Sequence, residues 1–237
     1  MTRARIGTAG WQVPRAVADA FPSEGSTLAR YAARFSCVEI NTSFYRSHQA
    51  STWVRWAESI PENFRFAVKA PKTVSHERKL IDCGDLLDRF FAEIANLGPK
   101  LGPVLVQLPP SLAYDAAVVA EFIRALRERH DGDVVCEPRH PSWFTGEADA
   151  ALAEAKIARA AADPARVPKA AIPGGWPGLV YFRLHGSPRV YWSSYEAARL
   201  DALAADLSAT SAPVWCIFDN TASGAAAANA LDLIARL

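Results

Sequence analysis

The feature that most constrains this sequence is a regular alternation between short apolar runs and longer amphipathic stretches. Most of the runs are rich in β-branched and aromatic residues, as buried strands are. Their starts extend from about residue 6 to residue 214, or roughly 30 residues per unit, which is the length of one strand–helix unit. The eight candidate strands are Arg5–Gly7, Val38–Ile40, Phe64–Val68, Val104–Leu108, Val134–Cys136, Lys156–Ala160, Leu179–Phe182 and Val214–Phe218, of which the first and sixth are the weakest.

Between these runs, apolar residues recur at intervals of three and four, which is typical of helices packed on one face. The predicted helical stripes cover Leu28–Phe35, Leu86–Leu97, Val118–Leu126, Leu200–Leu207 and Leu231–Leu237. Asp115 precedes the third stripe and can cap it, whereas Gly98 and Pro99 end the second. The segment 163–178 contains four prolines and three glycines, which predicts a loop instead of a full helix.

Strands that alternate with helices predict a parallel sheet covered by helices. Eight such units favour a single α/β domain over residues 1–237, a TIM-barrel-like (β/α)8 fold with an irregular sixth unit. A doubly wound open sheet is the alternative. The G-x-G-x-x-G motif of its dinucleotide-binding version does not follow the first predicted strand.

The composition excludes several classes of protein. The 26 Lys and Arg residues against 25 Asp and Glu leave a net charge of +1, so no strongly basic or acidic tail is present. No apolar run reaches the length of a membrane span, and no secretory apolar segment follows the basic start. The four cysteines form no C-x-x-C motif, and we expect buried thiols in a reducing cytoplasm.

Polar side chains follow nearly every predicted strand, where the active site of a barrel would lie. The residues at these exits are Glu39, Asn41 and Tyr45, then Lys69, Gln107, Glu137, Arg139, His140, Asp163, Arg183, His185, Asp219 and Asn220. Isolated buried charges are unfavourable unless they are paired or used. The rim is therefore either a site or a scaffold of ion pairs.

Seven segments at these exits, in order along the chain, together resemble the domain-of-unknown-function 72 family, the YecE-like proteins. They are Ile6–Trp11, Val38–Arg46, Phe66–Lys72, Val104–Pro110, Glu137–Trp143, Tyr181–Gly186 and Asn220–Gly224. The resemblance extends from Ile6 to about Ala230. It implies a TIM-barrel-like fold and implies no particular reaction.

An anion site is expected after the last two strands, where barrels often bind phosphate. Arg183 can supply a bidentate fork, Thr221 and Ser223 can donate hydroxyl hydrogen bonds, and Gly224 allows close backbone approach before the last helix. The alternative is that Asn220 and Thr221 only cap that helix. Asp219 would oppose a bound anion unless it pairs with Arg183.

Acid/base chemistry is the leading interpretation of the remaining rim. Glu137 and His185 would transfer protons, with Asp163 orienting His185. Lys69 and Arg139 would stabilise developing negative charge. Lys69 could also act as a Schiff-base nucleophile, although a pair with Glu39 or Glu137 is the simpler reading. The full set of expected substrate contacts is Glu39, Asn41, Tyr45, Gln107, Arg139, His140, Arg183, Asn220, Thr221, Ser223 and Gly224.

Three functions remain open. The favoured one is an enzyme acting on a small phosphorylated or carboxylated compound, with no cofactor and a small anionic molecule as partner. The second is a metal-dependent phosphoesterase, nuclease or sugar isomerase, with a divalent metal on residues drawn from Glu39, Glu137, Asp163, His185 and Asp219. The third is a non-catalytic module for a metabolite or nucleic acid, and the net charge disfavours nucleic acid. No membrane partner is expected, and the oligomeric state cannot be read from the sequence.

Overall fold

A computed structural model describes residues 4–237 of the chain and contains ten strands within them. The strands are β1 (Ala4–Thr8), β2 (Cys37–Ile40), β3 (Arg65–Lys69), β4 (Leu101–Gln107), β5 (Val134–Glu137), β6 (Ile157–Arg159), β7 (Ala161–Asp163), β8 (Gly174–Gly175), β9 (Val180–Leu184) and β10 (Val214–Phe218). One sheet has the order β1-β10-β9-β7 and the other β2-β3-β4-β5-β6-β8. All neighbours run parallel except the short antiparallel pair of β6 and β8.

Seven α-helices connect the strands within residues 4–237. They are α1 (Thr27–Ala32), α2 (Ala50–Glu58), α3 (Gly84–Ile94), α4 (Ala116–Arg127), α5 (Gly146–Glu154), α6 (Ala197–Ala209) and α7 (Ala225–Ile234). The Asp115 carboxylate accepts hydrogen bonds from the N–H groups of Ala117 and Val118, both at 3.0 Å, and so caps α4 as predicted. Helices α2 and α5 were not predicted, and α5 reads GEADAALAE, which contains no continuous apolar stripe.

The two sheets approach each other at two places. Ala9 forms an isolated parallel bridge with Glu39, and the N–H of Gly10 donates to the carbonyl of Glu39 at 2.9 Å. On the opposite side the chain passes from β6 to β7 through Ala160, so the sixth predicted strand contributes to both sheets. One closed sheet is therefore not formed by the hydrogen-bonded ladders. The architecture is a mixed α/β fold with parallel sheets and many helices, consistent with a TIM-barrel-like fold.

The buried apolar residues form two clusters on opposite faces of the strands. The larger cluster joins strands and helices and includes the apolar faces of α3 and α4. The smaller cluster comprises Cys37, Ala67, Leu105, Val135, Ala158, Ala160, Leu179, Tyr181, Trp215 and Ile217. We call the face that carries this smaller cluster the inner face.

The remaining expectations concern the loop, the thiols and the membrane. The segment 163–178 contains no α-helix; it holds a 3-10 turn at Pro168–Ala171 and the two residues of β8. All four cysteines are free and buried, as expected. Within residues 4–237, every helix is too short or too polar to cross a lipid bilayer. The prediction of one domain over 1–237 stays a prediction, and residues 1–3 lie outside the described part of the chain.

Candidate functional site

The inner face ends in a layer of polar side chains. Successive side chains of a strand alternate between faces, so a residue two positions after an inner apolar residue shares its face. This rule relates Cys37 to Glu39, Ala67 to Lys69, Leu105 to Gln107, Val135 to Glu137, Tyr181 to Arg183 and Ile217 to Asp219. Since the strands run parallel, their carboxyl ends meet, and the structure brings Glu39, Lys69, Glu137, Arg183 and Asp219 together there.

Arg183 is the centre of this layer and its side chain is only 1% exposed. Its Nε lies 3.0 Å from Oε2 of Glu39 and its Nη2 lies 2.6 Å from Oε1 of the same residue, a bidentate pair. Its Nη1 donates to Oε2 of Glu137 at 2.6 Å, and its Nη2 also donates to Oδ2 of Asp219 at 3.1 Å. The Tyr181 hydroxyl donates to Glu39 at 2.8 Å. Three carboxylates therefore occupy the guanidinium that was expected to hold an anion.

His185 lies between two of those carboxylates. Its Nδ1 is 3.0 Å from Oδ2 of Asp219 and its Nε2 is 3.0 Å from Oε1 of Glu137. Both contacts are satisfied when both ring nitrogens carry a proton. When Nε2 lacks its proton, it can accept from Nη2 of Arg139, 3.1 Å away. The imidazole thus has hydrogen-bond partners in both protonation states, as a group that exchanges protons requires.

Glu137 is held as a carboxylate. Burial by itself would raise its pKa, but the charges of Arg183, His185 and Arg139 outweigh burial and hold the pKa well below the usual glutamate value. Its Oε1 also lies 2.7 Å from Nη2 of Arg139. A carboxylate with so low a pKa is a weak proton acceptor near neutral pH. Glu137 is therefore suited to position and charge-balance its cationic partners.

Asp219 has the same character. Burial would raise its pKa, and the charge of Arg183 together with the hydrogen bond from His185 and the charge of Lys69 lowers it. The three opposing carboxylates, in turn, raise the pKa of Arg183 well above its ordinary value against the effect of burial. Glu137, Asp219 and Arg183 are thus ionised, and their charges depend on one another. With Glu39 and Lys69 they form what we call the ionised layer.

Lys69 differs from the other charged residues of the layer. Burial and the charge of Arg183 lower its pKa to about 8, although Glu39, Glu137 and Asp219 act in the opposite direction. Its Nζ lies 4.0 Å from the centroid of the Phe44 ring. Within residues 4–237 this Nζ forms no hydrogen bond and no ion pair within 4.0 Å, and the hydrogen bond that Lys69 accepts from Ser43 is to its backbone carbonyl. The simpler reading, a direct pair with Glu39 or Glu137, is therefore not what the structure contains.

Some polar atoms at the strand ends have no hydrogen-bond partner among residues 4–237, although they are buried. They are Oδ1 of Asn41, Oδ1 of Asn220 and Nε of Arg139. Such atoms are uncommon in folded proteins and are candidates for ligand contacts. Of these, Arg139 contacts the ionised layer through Glu137, whereas the Asn220 side chain contacts Ser193 and Asn229.

Asp163 is not where the prediction required it to be. Its Oδ2 accepts a hydrogen bond from Nε of Arg199 in α6 at 3.1 Å. Asp163 pairs in register with Leu184, which belongs to the larger apolar cluster, so its side chain lies on the outer face, away from His185. Asp219 provides the carboxylate on His185 Nδ1 instead.

The segment before α7 is already occupied by protein contacts. The Ser223 hydroxyl donates to the carbonyl of Trp192 at 2.5 Å. Asn220 donates from Nδ2 to the carbonyl of Ser193 and to Oδ1 of Asn229, both at 2.9 Å, and does not cap the helix. Gly224 precedes the helix with a φ of 80°, a conformation that favours glycine. The cavity beside Thr221 and Gly224 has a volume of about 10 Å³, which is the size of one water molecule.

Three further predicted contacts form no hydrogen bond with the ionised layer among residues 4–237, although Gln107 is the register partner of Glu137. Tyr45 is 72% exposed and packs edge-on against Phe44. Nδ1 of His140 accepts from the N–H of Ser142 at 3.3 Å and caps the following turn. The Gln107 amide makes only a 3.5 Å contact, with the Leu108 carbonyl.

Sequence reasoning missed Tyr181 as part of this region, and it placed Phe44 and His76 after predicted strands without assigning them to the site. Tyr181 contacts Glu39, and Phe44 lies under Lys69 and packs edge-on against His76 with centroids 5.0 Å apart. The period-two relation to the inner apolar residues would have placed Tyr181 on the correct face. Phe44 and His76 lie in the segments after β2 and β3, for which no such periodicity exists.

The metal-dependent alternative draws its ligands from Glu39, Glu137, Asp163, His185 and Asp219. Within residues 4–237, no group of three or more His, Cys, Asp or Glu side chains has an arrangement that could hold a metal ion. Glu39, Glu137 and Asp219 face the Arg183 guanidinium, whose positive charge occupies the position between them.

Sequence relatives of the chain carry names that denote no function. The UPF0759 protein YecE of Escherichia coli K12 is 33% identical over 149 residues, which are 62% of this chain and 53% of YecE. The UPF0759 protein YunF of Bacillus subtilis is 31% identical over 148 residues, 59% of this chain and 52% of YunF. The aligned region spans about half the length of these curated relatives.

Solved structures share the fold over nearly the full length. A DUF72 family protein from Enterococcus faecalis V583 has a TM-score of 0.82 at 24% identity, with 99% of this chain and 95% of that chain covered. A DUF72 family protein from Thermotoga maritima MSB8 has a TM-score of 0.79 at 25% identity, with 98% of both chains covered. The family model described as "Protein of unknown function DUF72" matches residues 5–237, so the chain belongs to the DUF72 family.

Proposed function

We propose that this protein is an enzyme that acts on a small phosphorylated or carboxylated compound by acid/base chemistry at the carboxyl ends of its parallel strands. The observation that carries the proposal is the environment of His185. Its two ring nitrogens face Asp219 and Glu137, and the Nη2 of Arg139 provides a donor when Nε2 is unprotonated. A purely structural histidine needs partners in one protonation state only.

The fold supports this location for a site. The proposed architecture is one eight-stranded (β/α)8 barrel with an irregular sixth unit, in which the bridge between Ala9 and Glu39 and the passage through Ala160 connect the two sheets. Active sites of such barrels lie at the carboxyl ends of the strands. The ionised layer lies at that end.

The roles follow from the charges. Glu137 and Asp219 have lowered pKa values, so they orient and balance the cations. Lys69, with a pKa of about 8, can change protonation near neutral pH. His185 has hydrogen-bond partners with or without a proton on Nε2, as a proton-transfer group requires. The sequence alone assigns proton transfer to Glu137 and His185. This division keeps His185 in that role and replaces Glu137 with Lys69.

Anion recognition belongs to Arg139 and Lys69 in this proposal, because Arg183 is occupied by three carboxylates. The Arg139 side chain is 14% exposed and its Nε has no partner among residues 4–237. The side chain is therefore partly accessible to solvent, although the unpartnered Nε itself is buried. No cofactor is included in the proposal.

A thermal-shift panel tests the proposal. Phosphate, sugar phosphates, short carboxylates, oligonucleotides and divalent metal salts are each added to the full chain. A ligand at about 100 times its Kd stabilises by roughly 2.7 kcal/mol, or about 5–11 °C for a chain of this size. We expect such a shift with phosphorylated or carboxylated compounds, retained in Arg189→Gln and lost in Arg139→Gln.

Arg189 is a suitable control because its exposed guanidinium lies over the Trp192 ring and, within residues 4–237, forms no ion pair with the ionised layer. A shift with metals alone would favour a metal-dependent enzyme instead. A salt-sensitive shift with oligonucleotides alone would favour a nucleic-acid-binding module. Either result contradicts the proposal.

A further inference from the structure

Lys69 is the last residue of β3. Within residues 4–237 it is the one amine in the ionised layer. It is 8% exposed, so its side chain is largely buried while solvent still reaches it. The Ser43 hydroxyl donates to its backbone carbonyl at 2.7 Å, which fixes the end of the strand against the following turn. The backbone that carries the amine is therefore fixed at the edge of the layer.

The carboxylates near Lys69 are committed to other partners. Glu39 is bound by both Arg183 and Tyr181. Glu137 is bound by Arg183 and contacts His185, and Asp219 contacts the same two residues. An amine that served only to balance charge would be expected to form one of these pairs.

Lys72 shows what an ordinary lysine of the same segment does. It is three residues further along, its side chain is 46% exposed, and its Nζ pairs with Glu77 at 3.1 Å. The two lysines lie in the same short segment of the chain, but they differ in burial and in pairing. Lys72 is therefore a matched internal control.

We propose that Lys69 is a covalent amine nucleophile that binds the carbonyl carbon of a phosphorylated or carboxylated aldehyde or ketone as an imine. This inference rests on the proposed function, because the phosphate or carboxylate would be held by Arg139. It narrows the substrate class to compounds that contain both a carbonyl group and an anionic group.

The surroundings of Lys69 favour an unprotonated amine, the form that attacks a carbonyl. Burial and Arg183 disfavour its positive charge, and the pKa is about 8. The charged and titratable groups that act on Lys69 or share its surroundings are Arg183 of β9, Glu39 of β2, Glu137 of β5, Asp219 after β10, and His76 and Arg139, which lie beyond β3 and β5. The Phe44 ring covers one side.

The reaction balances without an oxidant or a reductant. The Nζ lone pair attacks the carbonyl carbon, the carbonyl oxygen takes up a proton, and the nitrogen loses one, which gives a carbinolamine. The hydroxyl then leaves as water after it takes up a second proton, and the nitrogen loses its remaining proton. The neutral amine and the carbonyl compound thus become one imine and one water, with no net gain or loss of protons.

Reductive trapping tests the inference on the full chain. The protein is incubated with pyruvate or with dihydroxyacetone phosphate in the presence of sodium cyanoborohydride, which converts an imine to a stable secondary amine. Peptide mapping by mass spectrometry then assigns the adduct among Lys69, Lys72, Lys79, Lys100, Lys156 and Lys169. Acetone and dihydroxyacetone serve as uncharged controls.

We expect at least one anionic probe to modify Lys69 about tenfold faster or more than Lys72 at neutral pH, because a larger fraction of Lys69 is unprotonated. The uncharged controls should modify it more slowly. The Lys72→Arg variant should retain the adduct, and Lys69→Arg, checked for a cooperative thermal transition, should lose it. The main comparison uses the unmodified sequence, so it does not depend on the folding of any variant.

No adduct at Lys69 with either anionic probe overturns the inference, and so does equal modification of Lys69 and Lys72. The thermal-shift panel separates the two proposals. If anionic compounds stabilise the protein through Arg139 and no adduct forms, the imine is wrong and the proposed function stands. If an adduct forms but the Arg139-dependent shift is missing, the amine reacts and the proposed recognition of the anion is wrong.

Discussion

Arg183 and Glu39 lie side by side with two hydrogen bonds between them, although they are 144 positions apart in the sequence. Nε of Arg183 lies 3.0 Å from Oε2 of Glu39, and Nη2 lies 2.6 Å from Oε1. Both side chains are at most 1% exposed. The pair connects β2 to β9, which belong to different sheets. It is therefore a link between the sheets as well as part of the candidate site.

Replacing Arg183 should destabilise the protein strongly. Arg183→Met leaves three buried carboxylates without their cation, and breaking a buried pair from one side costs about 3–5 kcal/mol. Equilibrium unfolding in urea measures the change in the free energy of unfolding. Arg199→Met is the control, because its pair with Asp163 is partly exposed and should contribute less than about 1 kcal/mol. Equal losses in both variants would show that the layer is not the main electrostatic link.

The positions of Asp163 and Asp219 predict losses of stability of different size for two similar substitutions. Asp219→Asn weakens charged hydrogen bonds to Arg183 and His185, each worth about 1.5–3 kcal/mol, and should lower the free energy of unfolding by that order. Asp163→Asn affects the outer pair with Arg199 and should cost less than about 1 kcal/mol. Urea unfolding of both variants checks this. A larger loss in Asp163→Asn would mean that Asp163 supports the layer after all.

The lowered pKa of Lys69 predicts that the stability of the protein changes with pH in the alkaline range. Its pKa is lowered to about 8 in the folded protein from 10.5, so between these values the folded chain has lost a proton that the unfolded chain still binds. Raising the pH through this range therefore stabilises the folded state. Below pH 8 the full free-energy cost of burying the protonated Lys69 amine is present. The stability of the unmodified protein relative to Lys69→Met should rise across this window by up to about 3 kcal/mol.

Urea unfolding at several pH values from 7.5 to about 10 measures that difference. Other groups also titrate in this range, so only the comparison with the variant isolates Lys69. The control is Lys72→Met, whose difference from the unmodified protein should stay nearly constant. Parallel curves for the unmodified protein and Lys69→Met would contradict the lowered pKa.

The four cysteines should react slowly in the folded protein. Burial raises the pKa of Cys83 to about 11 and raises the pKa values of Cys37, Cys136 and Cys216 further, so few thiolates form at pH 8. A chromogenic disulfide reagent should detect all four thiols only after unfolding in guanidinium. Ser51→Cys places a thiol on the exposed face of α2 and should add one rapid reaction. Rapid reaction of the unmodified protein would show that a buried segment opens readily.

Much of the fold is encoded in local pattern. Runs such as Val214–Phe218 are strands with the predicted bounds, because β-branched and aromatic residues favour a buried strand. The helix after Asp115 begins where the capping residue predicts. By contrast, α5 is rich in alanine and has no apolar stripe, so its helical propensity was not visible as periodicity.

The candidate site was predictable in membership and only partly in arrangement. The position after each strand identified Glu39, Lys69, Glu137, Arg183 and His185, which do meet. The partners of each residue depend on three-dimensional packing, which the sequence does not show. Local pattern could not reveal that three carboxylates saturate Arg183, or that Lys69 has no ion pair within the described chain.

The prediction that Asp163 orients His185 was wrong. The segment Ile157–Asp163 consists mostly of small residues, so its inner and outer faces cannot be distinguished by hydrophobicity. In the structure Ala158 and Ala160 lie on the inner face. Arg159 pairs with Asp149 of α5, and Asp163 pairs with Arg199 of α6. A shift of one position along a strand moves a carboxylate to the opposite side of the sheet.

The convergence of three carboxylates on Arg183 also couples these four positions in evolution. Its partners Glu39, Glu137 and Asp219 come from three different strand ends, yet each depends on the same guanidinium to remain buried and charged. Substitution of any one of these four residues by a neutral one would leave an uncompensated buried charge unless a second of the positions changed as well. These distant positions should therefore vary together among relatives of this chain, as though they were neighbours in the sequence.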